Sequence, residues 1–142
     1  MPTVTKSVLV PHAAQLMFEL VDDVERYPEF LPWCAGTKLI ERTDAITRAR
    51  LDIDYHGLKT SFATRNRKEA PRRMEIELEE GPFDRLEGRW TFTSLGKEGS
   101  RVELSLDYTL ASRSMSAVLA PVFGHIMETL VDSFVARADS LR

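Results

Sequence analysis

The sequence predicts an α+β domain in which a curved antiparallel sheet grips one long C-terminal helix. Three observations carry that reading. From Gly36 to Leu110 apolar residues recur with period two, interrupted at short intervals by glycine and proline turns. From Ser112 to Arg142 they recur at steps of three and four. Before the sheet lies Asp23–Cys34, a broken apolar segment holding Pro28, Pro32, Tyr27, Phe30, Trp33 and the only cysteine. Proline fixes φ and removes a backbone donor, so no long helix or central strand runs through that segment. It is too apolar for a solvated loop, and so reads as a plug closing one end of a core.

Residues 3–10, rich in Val and Thr and ended by Pro11, predict a strand. His12–Val21 predicts a helix with Ala13, Leu16, Met17 and Leu20 on one face. A short second helix over Asp23–Phe30 is broken at Pro28 and ended by Pro32. The sheet follows. Ala49, Leu51, Ile53 and Tyr55 alternate with charged neighbours; so do Met74, Ile76 and Leu78, then Leu86, Gly88, Trp90 and Phe92, then Val102 to Leu110. One face is dry and one wet, as antiparallel sheets allow. Turn signals at His56-Gly57, Ala70-Pro71, Gly81-Pro82 and Gly96–Gly99 imply successive hairpins. In the last segment Met115, Val118, Leu119, Val122, Phe123, Ile126, Leu130, Phe134, Ala138 and Leu141 form an apolar stripe, with a kink or break expected at 117–121 before Pro121. The order is β-α-α-β-β-β-β-β-β-α in a single domain spanning 1–142. Small residues among the large ones, at Ala49, Gly88, Ser94 and Gly124, fit either a cavity or an interdigitated core.

Composition and motifs exclude several classes. The net charge of −3 gives no overall attraction to DNA or to an anionic membrane. A single cysteine makes no internal disulfide, no zinc spacing is present, and the histidines at 12, 56 and 125 form no i, i+4 pair. His12 and His56 read as surface residues; His125 fits either a polar group in a cavity or a partly exposed helix residue. No nucleophile elbow or phosphate loop is found. Cys34, among prolines and aromatics with no adjacent base, reads as an inert buried thiol. No signal peptide, transit peptide or apolar run of membrane-spanning length is read, so a cytoplasmic protein is expected, with any membrane contact peripheral, at the inner membrane. Arg65, Arg67, Lys68, Arg72 and Arg73 concentrate positive charge on one hairpin. That hairpin is either a phosphate contact or a solvated edge that discourages aggregation.

Gly81–Phe92 and Val122–Ala138, together with Tyr27–Cys34, resemble the coenzyme-Q-binding START-like family, which holds the mitochondrial coenzyme Q chaperone and the bacterial ribosome-association toxin RatA. The resemblance runs from Val4 to Ala138. It implies the helix-grip fold of the polyketide cyclase/START-like (SRPBCC, Bet v 1-like) superfamily. It also implies a non-catalytic module that binds ubiquinone or a related isoprenoid lipid and supports respiration, with no metal and no covalent cofactor. On residue type and face, the cavity candidates are Phe30, Leu31 and Trp33 from the plug and Leu51, Ile53 and Phe62 from the first strands of the sheet. Met74, Ile76, Phe83, Trp90 and Phe92 follow from later strands, and Val122, Phe123, Ile126 and Leu130 from the helix. Tyr55, Tyr108 and His125 are candidate donors to a quinone carbonyl. The alternative implied by the family is a RatA-like protein that binds the large ribosomal subunit and blocks subunit joining, with the 65–73 hairpin as its phosphate contact. A third is a polyketide cyclase or aromatase, for which Tyr55, Tyr108, His125 and Asn66 supply the available acid/base and polar groups.

Overall fold

A computed structural model describes residues 3–55 and 57–141, with only the backbone of Met115 and Ser116. His56, expected in a turn, lies outside the described residues. Strand β1 (Thr3–Val10) leads into helix α1 (Ala14–Asp22) and a 3₁₀ helix, Val24–Glu29. Six strands follow: β2 (Cys34–Arg42), β3 (Ile46–Tyr55), β4 (Leu58–Glu69), β5 (Arg73–Glu80), β6 (Phe83–Ser94) and β7 (Ser100–Leu110). Helix α2 (Arg113–Ser140) closes the chain. This is the START-like helix-grip fold.

The seven strands form one antiparallel sheet in the order β1-β7-β6-β5-β4-β3-β2. Strands β2 to β7 are successive hairpins, as the turn signals predicted. β1 returns to pair with β7, from Thr3 opposite Asp107 to Val10 opposite Ser100. The consecutive strands β1 and β2 therefore lie at opposite edges, and α1 with the 3₁₀ helix spans between them. Bulges in β2, β5 and β6 bend the sheet. Two glycines are fixed by space. Gly81, at φ +149°, turns β5 into β6 where a Cβ would stand 2.7 Å from that of Phe62. At Gly88 a Cβ would collide with the Leu106 side chain, so the gap predicted there is filled by a neighbour.

The inner face follows the predicted alternation: Ala49, Ile53, Met74, Leu86, Trp90, Phe92 and every second residue from Val102 to Leu110 are buried. Against it α2 lays Leu119, Phe123, Ile126, Met127, Val131, Phe134 and Ala138. Met127 and Val131 belong to this stripe although the sequence reading omitted them. Val118 and Leu141, which it included, are 58% and 53% exposed. A stripe at steps of four from Leu119 passes Val118 by one position. α2 is continuous across Pro121, so no break forms. Pro121 and Ala117, whose carbonyl loses its partner, both face solvent, where water can serve that oxygen.

Three expectations are corrected. α1 starts at Ala14 and buries Ala14, Met17, Phe18 and Val21, one position round from the predicted face. His12 is not a surface residue. It lies before the helix and is 5% exposed; its Nε2 is 2.7 Å from Asp139 Oδ1, and its carbonyl accepts from Ser100 Oγ at 2.8 Å. Residues Ala117–Ser140 are long and apolar enough to cross a membrane, contrary to the sequence reading. In this fold their apolar side is the stripe that packs on the sheet.

The Phe134 ring joins three elements. Its centroid lies 5.4 Å from Tyr27, 5.2 Å from Phe30 and 5.5 Å from Trp90. We expect Phe134→Ala to lower unfolding stability by about 3–5 kcal/mol, measured by urea denaturation. A loss below about 1 kcal/mol contradicts the packing described.

Candidate functional site

Between α2 and the sheet lies a cavity of about 80 Å³. Val21 of α1, Val24 and Tyr27 of the 3₁₀ helix, and Trp33 form one wall. The sheet contributes Ala49 and Leu51 (β3), Phe62, Thr64 and Asn66 (β4), Ile76 (β5), Leu86 and Trp90 (β6) and Leu106 (β7). α2 closes it with Ile126, Met127, Leu130 and Phe134. Neither a carboxylate, an imidazole, an amine nor a thiol is part of this lining among the described residues. Its polar groups are few. The Tyr27 hydroxyl donates to the Val21 carbonyl, and burial raises its pKa, so the phenol stays neutral. Trp33 Nε1 and Asn66 Oδ1 are fully buried and meet no hydrogen-bond partner among the described residues.

Of the residues proposed from sequence, Trp33, Leu51, Phe62, Ile76, Trp90, Ile126 and Leu130 come together around this space. The others stand elsewhere. Leu31, Ile53, Met74 and Phe92 are buried in the surrounding core and Val122 packs on it half-buried, while Phe83, Phe123 and Tyr108 form an aromatic cluster with Phe62. Phe30 is half-buried with the Arg137 guanidinium 5.1 Å over its ring. The plug thus turns its apolar side inward. Tyr55 and His125 contact each other with ring centroids 5.4 Å apart, His125 being exposed. Neither of them, nor Tyr108, reaches the cavity lining. Burial, with the Glu128 charge behind it, raises the Tyr108 pKa. The sequence reading named Asn66 only as a polar group for the cyclase alternative and left it out of the cavity candidates. The signal was there: position 66 shares the inward parity of Phe62 and Thr64.

The cavity rim is tied by Asp22 at the end of α1. Its carboxylate accepts from Thr47 Oγ1 at 2.6 Å and from Lys68 Nζ at 3.1 Å, and its carbonyl accepts from Arg42 Nη2 at 2.7 Å. Arg42 also holds Glu25 at 2.7 Å, and that hydrogen bond lowers the Glu25 pKa. Lys68 therefore departs from the basic hairpin patch: its side chain is 5% exposed and turned inward. Arg65 and Arg72 are exposed on the outer side. Arg67 is exposed too but paired with Glu75 and Glu77 at 3.2 and 2.8 Å, and Arg73 with Glu69.

The profile of a family described as polyketide cyclase / dehydrase and lipid transport matches residues 10–135. The chain is 38% identical over 138 residues to the ribosome association toxin RatA of Pseudomonas aeruginosa, covering 97% of this chain and 96% of that protein. It is 25% identical over 138 residues to the mitochondrial coenzyme Q-binding protein coq10 of Schizosaccharomyces pombe, covering 93% and 84%. The solved Zhui aromatase/cyclase from Streptomyces sp. R1128 superposes with a TM-score of 0.83 at 19% identity, covering 97% and 93%. At that identity the likeness speaks to the fold alone.

Cys34 is buried beside this site and its thiol is pushed up to about 11 by burial. At pH 8 we expect native protein to react with iodoacetamide about 100-fold or more slowly than urea-unfolded protein, followed by mass spectrometry. Comparable rates contradict the burial.

Proposed function

The chain belongs to the polyketide cyclase / dehydrase and lipid transport family, and from that premise we propose that it is a binding module rather than an enzyme. On this reading it holds an apolar isoprenoid lipid of the ubiquinone kind between α2 and the sheet and serves respiration. It does so from the cytoplasm, with peripheral contact at the inner membrane. The observation that carries the reading is the lining: aliphatic and aromatic side chains on every wall, with isolated polar atoms. Each CH₂ of an isoprenoid tail moved from water into such a space contributes about 0.8 kcal/mol. The resting cavity of about 80 Å³ is smaller than the roughly 150 Å³ that admits a benzene ring. A ring-bearing lipid therefore enters as α2 parts from the sheet, and the empty protein closes its apolar walls against water. Cyclase chemistry needs a proton donor or acceptor at the reacting carbon. The only titratable group in the lining is Tyr27, whose hydroxyl is committed to Val21. That favours binding over catalysis.

A second reading is favoured by the 38% identity to RatA: association with the large ribosomal subunit. Its contact surface is the outer side of the β4–β5 hairpin, with Arg65, Arg67, Arg72 and Arg73 but without the inward Lys68.

Organic extraction and mass spectrometry of protein purified natively from its own cells tests both. Quinone in stoichiometric amount supports the lipid reading. An empty protein that co-sediments with large ribosomal subunits overturns it in favour of the second. Neutralising Arg65, Arg67, Arg72 and Arg73 together is expected to leave lipid uptake from vesicles intact and to weaken ribosome co-sedimentation, most at low salt.

A further inference from the structure

Asn66 and Trp33 carry polar atoms that the fold leaves without a partner, although both side chains are more than nine-tenths buried. Their neighbours show that this is not a general looseness. On the inner face Asn66 sits opposite Thr47 in the β3–β4 register and two residues before Lys68. Thr47 and Lys68 both donate to the Asp22 carboxylate, at 2.6 and 3.1 Å. Asn66, between them, instead lines the cavity beside its register partner Ile76, with Trp90 and Phe134 in the same lining. Tyr27, on the opposite wall, likewise has its hydroxyl satisfied within the protein. Leaving a buried polar atom unpaired is destabilising. Leucine at position 66 has the branching of asparagine, and phenylalanine at position 33 keeps an aromatic ring, and neither carries that penalty, so stability alone does not account for this pair.

The two atoms differ in kind. The indole Nε1–H only donates, and the amide Oδ1 only accepts. Their complement is a molecule with an apolar body bearing both an oxygen acceptor and a hydroxyl donor. A hydrocarbon satisfies neither atom. With the amide turned as it is in the structure, a quinone head, which has acceptors and no donor, satisfies Trp33 alone. A hydroquinone or phenol head satisfies both.

Resting on the lipid reading above, we infer that Trp33 and Asn66 are the cavity's polar anchors and that it prefers a hydroquinone- or phenol-headed lipid to the oxidised quinone. Trp33 Nε1–H donates to a ring oxygen, and Asn66 Oδ1 accepts from a ring hydroxyl. No electron is transferred; the site reads the redox state by the hydrogen that the reduced head carries.

The test is anaerobic equilibrium dialysis of the full chain with three probes: a short-tailed dimethoxy-methyl-hydroquinone, its quinone, and the isoprenoid hydrocarbon without a head. For the natural sequence the hydroquinone is expected to bind roughly tenfold more tightly than the quinone, the quinone in turn more tightly than the hydrocarbon. Asn66→Leu should bring the hydroquinone down to the quinone's affinity, while its ligand-free thermal midpoint stays level or rises. That midpoint shows that the variant folds and that the amide is kept for the ligand. Trp33→Phe should weaken both ring-headed probes while preserving their order. If all three probes bind alike and neither variant alters them, the cavity remains a lipid site but the anchor assignment is overturned. If none of them binds, the lipid reading falls and this inference with it.

Discussion

The architecture depends on burying one concave, apolar sheet face under a helix too narrow to cover it. Seven strands spaced about 4.8 Å apart span roughly 29 Å, whereas a helix with its side chains is about 10–12 Å across. The sheet therefore curls, aided by its bulges, and the remaining end is stopped by α1 and the 3₁₀ helix. The Phe134 ring is where these solutions meet, packed against Tyr27 and Phe30 of the plug and Trp90 of the sheet. A second aromatic group, Phe62, Phe83, Tyr108 and Phe123, fills the space under the first turns of α2. The cavity includes Tyr27, Trp90 and Phe134 from the first group and Phe62 from the second, where neither curl nor helix brings side chains into full contact.

The plug is held by polar contacts that leave the cavity walls apolar. Pro28 denies its turn one backbone donor, and the i→i−3 bonds Arg26 N–H to Asp23 and Phe30 N–H to Tyr27 set the 3₁₀ winding. Asp22 gathers Thr47, Lys68 and Arg42 at the junction of α1 with β2, β3 and β4. Glu29 meets Arg137 at 2.7 Å, and that hydrogen bond lowers the Glu29 pKa. Charge is thus concentrated at the rim, where water still reaches most partners, while the interior carries rings and methyl groups. An opening motion that parts α2 from the sheet separates apolar surfaces and breaks the Lys6–Asp132 pair between β1 and α2, while Glu29–Arg137 and the His12–Asp139 contact tie the C-terminal end of α2 to the plug and to the segment before α1.

Strand alternation and turn chemistry made the fold legible from sequence, because each depends on neighbours within a few residues. The order of elements, the hairpins and the inward parity from Ala49 to Leu110 all follow from period two. Features set by partners distant in sequence were not legible. His12 is buried because Asp139, at the far end of the chain, meets it. Lys68 leaves the basic patch because Asp22 draws it inward, which no charge count over 65–73 reveals. The stripe on α2 was misplaced at Val118, since steps of three and four leave its phase open until a contact such as Phe134–Trp90 fixes it. Which inward residues border empty space was the least legible feature. Gly88 looked like a gap, yet Leu106 fills it. Asn66 was read only as an inner polar group; that its Oδ1 meets no partner among the described residues depends on contacts distant in sequence.

The same fold serves binding proteins and enzymes, so function here has to be argued from faces and not from architecture. Strand β4 makes the separation explicit. Its pleat sends Thr64, Asn66 and Lys68 inward and Arg65 and Arg67 outward. The inward set borders the apolar cavity and its rim; the outward set joins a face crossed by Arg48–Glu79 and Arg67–Glu75 pairs. The two proposed roles, lipid binding and ribosome binding, would thus draw on alternate residues of one strand, on opposite sides of the sheet. Because side chains on opposite faces do not touch, substitutions on one face leave the contacts of the other in place. Any coupling between the two proposed roles has to pass through the backbone of β4, which pairs without a shift against β3, while the bulge opposite Ala63 and Thr64 lies in β5 at Glu79.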